Sequence, residues 1–136
     1  MVCIYCGGDT QVINSRHQKR LNQVWRRRKC LECLAVYSTH EVASYGDAWR
    51  VKTENGSLVP FLPNKLLLSL HKSLEHRKHS IEDATALVAT VIGLLHRQTP
   101  QGLLEPENIA LTAHEVLKNF DKAAAVHYAA FHPSAG

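Results

Sequence analysis

Residues 25–33, "WRRRKCLEC", join a basic run to a Cys-x-x-Cys pair formed by Cys30 and Cys33. A second pair, Cys3 and Cys6, precedes it with 23 residues between the two pairs. This spacing is typical of a zinc ribbon, in which each pair lies on a tight turn and supplies two corners of a tetrahedron. The sequence therefore predicts one structural Zn²⁺ per chain with four thiolate ligands and no open position.

Two disulfides or four unconnected thiols are the alternatives to a metal centre. Disulfides suit an oxidising compartment, which no feature of the sequence indicates. Short strands are predicted at residues 11–15, 23–29 and 35–41. This segment has few large apolar side chains, so metal binding would have to supply much of its folding free energy. His17 and His40 are surplus to a four-thiolate site and are predicted to be surface histidines.

The basic run before Cys30 comprises Arg26, Arg27, Arg28 and Lys29. Adjacent positive charges repel one another unless an anionic partner compensates them, and arginine guanidinium groups suit phosphate oxygens and guanine edges. A solvated basic strand is the alternative. Beside a zinc ribbon, the run favours nucleic-acid binding. On a strand, Trp25, Arg27 and Lys29 would lie on one face and the other two arginines on the opposite face.

The charge is concentrated in the first third of the chain. Residues 1–46 carry seven Lys or Arg and three Asp or Glu, whereas the remaining residues carry nine of each. The 136 residues are 45% hydrophobic and 21% charged, which excludes wholesale disorder. No apolar stretch is long enough for a membrane-spanning helix, and the N-terminus lacks the pattern of a secretory signal. A cytoplasmic protein without a membrane partner is expected.

The rest of the chain predicts a β-hairpin followed by four helices. Strands at 50–52 and 58–61 flank an Asn-Gly turn. Apolar residues recur at helical spacing after Pro63, after Ser80 and from Pro106 to Phe120, and a fourth helix is expected to follow Asp121. Ser80 and Asp121 are the predicted capping residues. The predicted fold class is α+β, with a zinc ribbon at 1–46 and a mainly helical domain at 47–136.

An enzyme is the weaker functional class. The helical part contains neither a G-x-x-x-x-G-K-[ST] nor a G-x-G-x-x-G motif, and no carboxylate or nucleophile accompanies its scattered histidines at a recognisable spacing. A small nucleotide-hydrolysing enzyme would need a divalent metal and a base, and the sequence places neither.

Several motifs together resemble the NrdR transcriptional repressors of ribonucleotide reductase genes. The zinc-ribbon motifs are the cysteine pairs, "VINSR" at 12–16, "RRRKCLEC" at 26–33 and "YSTHE" at 37–41. The second part resembles that family's ATP-cone through "VK" at 51–52, Gly56, "PF" at 60–61, "KL" at 65–66 and "FDKAA" at 120–124.

The resemblance implies a bacterial, nucleoid-associated repressor that binds double-stranded operator DNA through zinc ribbons. Its cone would bind ATP or dATP as an allosteric ligand and change the homo-oligomeric assembly. The implied DNA-binding residues are Arg16, Arg26, Arg27, Arg28 and Lys29. The implied nucleotide-binding residues are Val51, Lys52 and Lys65, and the basic loop residues Arg77 and Lys78 could assist.

The cone motifs also depart from the family's pattern. Thr53 stands where the family usually has a second basic residue, and the C-terminal stretch lacks the usual Tyr, Arg and Phe pattern. The alternative function is therefore a zinc-ribbon nucleic-acid-binding protein whose degenerate cone does not sense nucleotides and serves only oligomerisation.

Overall fold

A computed structural model describes residues 1–99 and 101–133. The chain divides into two compact units, Met1–Ala43 and Ser44–Gly136. The first contains antiparallel strands and the four cysteines, and the second contains helices and a small sheet. The predicted α+β class is thereby confirmed. The division precedes the expected boundary between residues 46 and 47 because a short helix, α1 (Tyr45–Ala48), belongs to the second unit. Residues 134–136 of the predicted second domain lie outside the described residues.

The N-terminal unit is a three-stranded antiparallel sheet. Its strands are β1 (Thr10–Gln18), β2 (Gln23–Cys30) and β3 (Val36–Val42), with β2 in the centre. A single 3₁₀ turn, Lys19–Leu21, joins β1 to β2, and Asn22 after it has φ +50°, a left-handed conformation that asparagine tolerates. β1 is longer at both ends than the strand predicted at 11–15.

A bulge in β1 changes the alternation of its side chains. Val12 pairs with Arg28 and Asn14 pairs with Arg27, so Ile13 is an extra residue opposite β2. The remaining pairing from Asn14 to Gln18 is regular and places Arg16 opposite Trp25. The bulge therefore determines that Arg16 lies on the same face of the sheet as Trp25, Arg27 and Lys29.

In its described residues, the C-terminal unit contains five helices and a second three-stranded sheet. After α1, its elements are β4 (Arg50–Lys52), β5 (Leu58–Pro60), α2 (Pro63–Leu74), α3 (Ser80–Gln98), β6 (Leu103–Leu104), α4 (Pro106–Phe120) and α5 (Lys122–Phe131). β4 pairs antiparallel with β5, as predicted for the hairpin, and parallel with β6, a two-residue strand that the sequence did not indicate. The four longer helices begin where the periodicity predicts.

Of the two predicted capping residues, Asp121 caps its helix and Ser80 does not. The Asp121 carboxylate accepts a hydrogen bond from the Ala124 N–H at 3.1 Å, so this cap is confirmed. Ser80 is instead the first helical residue of α3, and its hydroxyl lies 3.1 Å from His71 Nε2. His79 occupies the N-cap position without a side-chain cap. The Ser80 prediction is wrong by one position because the helix begins earlier than the capping pattern implied.

A continuous apolar core holds the helical unit together. It is made by the inward faces of α2 to α5, with Trp49, Phe61 and Leu104 from the segments around the sheet. Leu70, Leu74, Leu95 and Leu117 are among its fully buried members. Burial of a leucine side chain stabilises a fold by about 1.5–3 kcal/mol, so this unit has an apolar core of its own. None of the helices in the described part of the chain is both long enough and apolar enough to cross a membrane.

Candidate metal centre and basic sheet

The two Cys-x-x-Cys turns bring the four thiols together at one end of the N-terminal sheet. All four Sγ atoms lie within 4.8 Å of one another. Cys3 Sγ is 3.7 Å from Cys33 Sγ, and Cys6 Sγ is 3.4 Å from Cys30 Sγ. Tetrahedral Zn–S bonds of about 2.3 Å separate neighbouring sulfurs by about 3.8 Å. The donor set and its spacing therefore fit one Zn²⁺.

The cysteines remain free thiols and form no disulfide. The shortest described separation, 3.4 Å, is well beyond the S–S bond length of about 2.05 Å. Cys3 and Cys30 are buried, whereas Cys6 and Cys33 are exposed. The sequence left open a zinc site, two disulfides or four unconnected thiols. The geometry supports four thiols positioned to bind one zinc ion.

Backbone N–H groups in the turns point at the sulfur atoms. Cys33 N–H and Glu32 N–H each donate to Cys30 Sγ at 3.4 Å, and they lower the pKa of the Cys30 thiol to about 6. The Ala35 N–H acts in the same direction on Cys33, but partial desolvation by the surrounding atoms and the neighbouring thiols outweigh it and raise the pKa of Cys33 to about 12. Crowded thiols thus resist full ionisation by themselves, and a bound dication would offset two of the four negative charges that full ionisation creates.

The N-terminal turn is attached to one face of the sheet. The Tyr37 hydroxyl on β3 donates to the Val2 carbonyl at 3.1 Å, and the Thr10 hydroxyl on β1 donates to the Met1 carbonyl at 2.6 Å. The buried apolar cluster of this unit comprises only Cys3, Cys30 and Tyr37, with Ala35 packed against it. We call this side of the sheet the zinc-side face, because Cys30 and Tyr37 both lie on it.

Two of the basic-run arginines lie on the zinc-side face and are engaged there. Arg26 donates to Ser15 Oγ at 3.0 Å and pairs with the Glu41 carboxylate at 2.9 Å. Arg28 pairs in register with Tyr37 and donates to Thr10 Oγ1 at 3.1 Å. Its Nε atom is shielded from solvent and has no hydrogen-bond partner among the described residues.

The opposite side, which we call the open face, carries the other basic residues. Arg27 is exposed, and its one described side-chain contact is a long hydrogen bond of 3.4 Å to Ser38 Oγ. The Arg16 guanidinium lies 5.7 Å from the centroid of the Trp25 ring. Lys29 shares this face by strand alternation. The sequence predicted the alternation within β2, but the contribution of Arg16 depends on the bulge at Ile13.

The structure separates the residues predicted to bind a nucleotide into two groups. Val51 is half-buried on β4 and packs against the helical core, and Lys52 is exposed at the end of that strand. Lys65 is exposed in the first turn of α2, whereas Arg77 and Lys78 follow its other end. A rise of 1.5 Å per residue places the last residue of α2 about 14 Å along the axis from Lys65. α2 therefore does not bring the basic loop next to Lys65.

Arg77 is held by contacts within the helical unit. Its guanidinium donates to Asp83 at 2.8 Å and to Asp121 at 3.1 Å, and lies 4.4 Å from the centroid of the Phe120 ring. His76 Nε2 lies 2.8 Å from the same Asp121 carboxylate. A hydrogen bond from His76, followed by the one from the Ala124 N–H, lowers the pKa of Asp121 to about 2. This network joins the α2–α3 loop to the start of α5.

A cavity between α2 and α5 was not predicted from the sequence. It has a volume of about 280 Å³. Ser73 Oγ lies 3.0 Å from His127 Nδ1, and Ser69 Oγ lies 3.3 Å from His132 Nε2. The helical spacing of Ser69 and Ser73 could have placed them on one side of α2, but their pairing with α5 histidines depends on the packing of the two helices.

One family comparison bears on the N-terminal unit. Residues 1–41 match the family described as "Transcriptional repressor NrdR-like, N-terminal domain". The match covers the four cysteines and all but the last residue of the three-stranded sheet. The described geometry and the family match agree that the cysteines form the metal-binding end of a zinc ribbon. The resemblance to NrdR is therefore confirmed for the N-terminal unit, which is similar to the zinc-ribbon domain of NrdR-like transcriptional repressors.

Proposed function

We propose that the protein is a transcriptional repressor that binds the operator DNA of ribonucleotide reductase genes through its zinc ribbon. One observation carries this proposal: an NrdR-like ribbon presents a basic strand that runs directly into its metal-binding end. Phosphate contacts from basic side chains supply most non-specific DNA affinity, and arginine forks can read guanine. The DNA-binding residues in this proposal are Arg16, Arg26, Arg27, Arg28 and Lys29.

The zinc ion would have a structural role in this function. Its four ligands would be Cys3, Cys6, Cys30 and Cys33, which leaves no position for a substrate or an activated water. When bound, the ion supplies the cross-link between the two turns. The residues of β2 are thereby held in one register relative to β1 and β3. The proposed activity is binding, not catalysis.

The helical unit is proposed to be an ATP-cone that senses ATP and dATP. Lys52 and Lys65 are both exposed cations, and lysine ammonium groups can neutralise triphosphate oxygens. Val51 would support the nucleotide next to Lys52. Lys78 and Arg77 remain proposed assisting residues, although Arg77 would have to exchange its contacts with Asp83 and Asp121 for the ligand.

Regulation would act through homo-oligomers. One ribbon offers few base or phosphate contacts, so useful affinity requires two or more linked ribbons on paired operator sites. ATP and dATP would have to stabilise different assemblies, because a ligand with equal affinity for two states does not change the equilibrium between them. The place of action would be the bacterial cytoplasm, at the nucleoid.

Two measurements on the zinc-loaded full chain test the proposal. Calorimetric titration with ATP and then dATP, with light scattering on the same samples, should show binding of both nucleotides and two assembly sizes. Fluorescence anisotropy should show binding to an operator duplex that depends on zinc and on the nucleotide. Zinc-dependent DNA binding whose affinity does not change with millimolar ATP or dATP would instead support a zinc ribbon attached to a cone that does not sense nucleotides. Absence of DNA binding would overturn the repressor proposal.

A further inference from the structure

The two faces of the N-terminal sheet differ in how their basic groups are engaged. The zinc-side face holds Arg26 and Arg28, and the open face holds Arg16, Arg27 and Lys29. Strand alternation places the residues of the basic run on two faces, but it does not show on which face they contact other protein groups. The side-chain contacts show this.

On the zinc-side face, protein groups accept part of the guanidinium hydrogen bonds, two from Arg26 and one from Arg28. The Arg26 side chain is about one third exposed and lies 2.9 Å from Glu41, whose carboxylate neutralises it locally. The Arg28 donor contacts Thr10, whose own hydroxyl is bound to the Met1 carbonyl. Tyr37 and Thr10 both hold the N-terminal residues against this face, and the half-buried Arg28 lies beside both of them.

None of the described ion pairs involves a cation of the open face. Arg16 and Arg27 are both exposed, and Lys29 is half-buried. The residues that pair with them across the sheet are polar or apolar, namely Asn14, Gln11, Trp25, Ser38 and Val36. The three basic side chains on this face of the sheet form a positive surface that complements a polyanion.

We infer that the open face, with Arg16, Arg27 and Lys29, is the surface that contacts the phosphates of duplex DNA, and that Arg26 and Arg28 are positioning residues on the covered side. This inference rests on the proposed DNA-binding function and specifies which side of the ribbon carries it. Trp25 lies between Arg16 and Arg27 on this face, and its ring holds the Arg16 guanidinium by a cation–π contact.

The salt dependence of DNA affinity distinguishes the two faces. Each phosphate contact that is lost lowers the magnitude of the slope of log K against log salt concentration by about 0.9. We expect Arg27→Gln to lower the magnitude of the slope by about 0.9, the value for one phosphate contact, and to weaken DNA binding at low salt. Arg97→Gln is the matched control, because it removes the same charge from an exposed arginine in the last turn of α3, outside the proposed DNA-binding residues, and it should leave the slope unchanged. Arg26→Gln tests the face assignment, and it should lower the slope by clearly less than Arg27→Gln does.

The experiment uses the zinc-loaded full chain, a mixed-sequence duplex and fluorescence anisotropy over a series of salt concentrations. Zinc content and amide spectra establish that each variant is folded. Arg16→Gln and Lys29→Gln provide independent tests of the open face if the Arg27 variant binds zinc poorly. Trp25→Leu should weaken binding while retaining the slope, because the Arg16 charge remains but is no longer held in place.

The outcomes separate this inference from the function on which it rests. If the unaltered chain shows no salt-dependent duplex binding, the DNA-binding proposal fails. If it binds but Arg26→Gln reduces the slope as much as Arg27→Gln, the face assignment is overturned while DNA binding stands. Tighter binding of the unaltered chain to the single strand than to the duplex would also overturn the assignment, because Trp25 would then act as a stacking platform.

Discussion

The Tyr37 hydroxyl on the last strand of the ribbon donates a hydrogen bond to the Val2 carbonyl, 3.1 Å away. This contact spans most of the N-terminal unit and joins the β3 strand to the segment that carries the first cysteine pair. Tyr37 is also one of the few buried side chains of the unit. The register of the sheet and the position of two zinc ligands are therefore coupled through one phenol group.

Tyr37→Phe should weaken zinc binding and destabilise the ribbon. The substitution retains the ring but leaves the Val2 carbonyl without this donor, which costs about 1 kcal/mol for an ordinary hydrogen bond. Competition with a chelator should show a zinc affinity that is lower by about fivefold, because the ligand turn is less well held. Tyr5→Phe is the control, since Tyr5 is exposed. An equal loss in both variants would contradict the proposed coupling.

Removal of zinc should unfold the N-terminal unit and leave the helical unit folded. The ribbon cluster has only three buried residues, whereas the helical core has its own set from four helices. A chelator is expected to retain most of the helical circular dichroism while the amide resonances of residues 10–42 lose their dispersion. Cys30→Ser should give the same spectrum without the chelator. Retention of strand resonances in metal-free protein would contradict this expectation.

The local patterns predicted more of this structure than the long-range contacts. The Cys-x-x-Cys spacing predicted the thiol cluster, and the apolar periodicity predicted the four longer helices. The bulge at Ile13 was not predicted, because no Gly or Pro marks it and it depends on pairing with β2. β6 was missed because two residues carry too little alternation to indicate a strand.

The two faces of the basic strand also show that local patterns do not predict long-range contacts. Alternation within β2 separated Arg26 from Arg27, but it did not indicate which face is covered. That depends on the contacts of Thr10 with Met1 and of Tyr37 with Val2, which are 9 and 35 positions apart in the sequence. Likewise, Arg77 looked like a free cation in a basic loop, and its ion pair with Asp121 joins residues 44 positions apart.

Asp121 should make the stability of the helical unit depend on acid pH. Its folded-state pKa is lowered to about 2 from the ordinary value of 3.8. A carboxyl with a lowered pKa stabilises the fold above its unfolded pKa, and this contribution is lost as the pH falls from about 4 to about 2. Urea unfolding followed by helical circular dichroism should therefore show this loss.

Two variants separate the charge of Asp121 from its capping role. Asp121→Asn can still cap α5, but it should lose that part of the pH dependence because no carboxyl remains. Asp121→Ala should lose the cap as well and cost about 1–2 kcal/mol at neutral pH. An unchanged pH profile in the asparagine variant would assign the acid sensitivity to other groups.

Gly102→Ala should destabilise the helical unit through Trp49. Gly102 has φ +69°, and a Cβ atom there would lie 2.8 Å from Cδ1 of the buried indole ring. The backbone strain and the displaced ring should together cost about 1–3 kcal/mol, measured by urea unfolding. Gly93→Ala is the matched control: Gly93 lies within α3, and a Cβ there meets no atom within 4 Å. It should stabilise the unit by about 0.5–1 kcal/mol. A neutral Gly102→Ala variant would show that Trp49 can move freely.

Lys65→Ala should weaken the proposed binding of ATP and dATP without releasing zinc. A hydrogen bond to a charged phosphate contributes about 1.5–3 kcal/mol, so calorimetry should show about a 10–100-fold loss of affinity. Lys118→Ala removes another exposed lysine, from the last turn of α4, and is the control. Both variants should retain one zinc per chain, because the ligands lie in the N-terminal unit. Nucleotide affinity that survives Lys65→Ala while the unaltered protein binds ATP would place the triphosphate elsewhere in the helical unit.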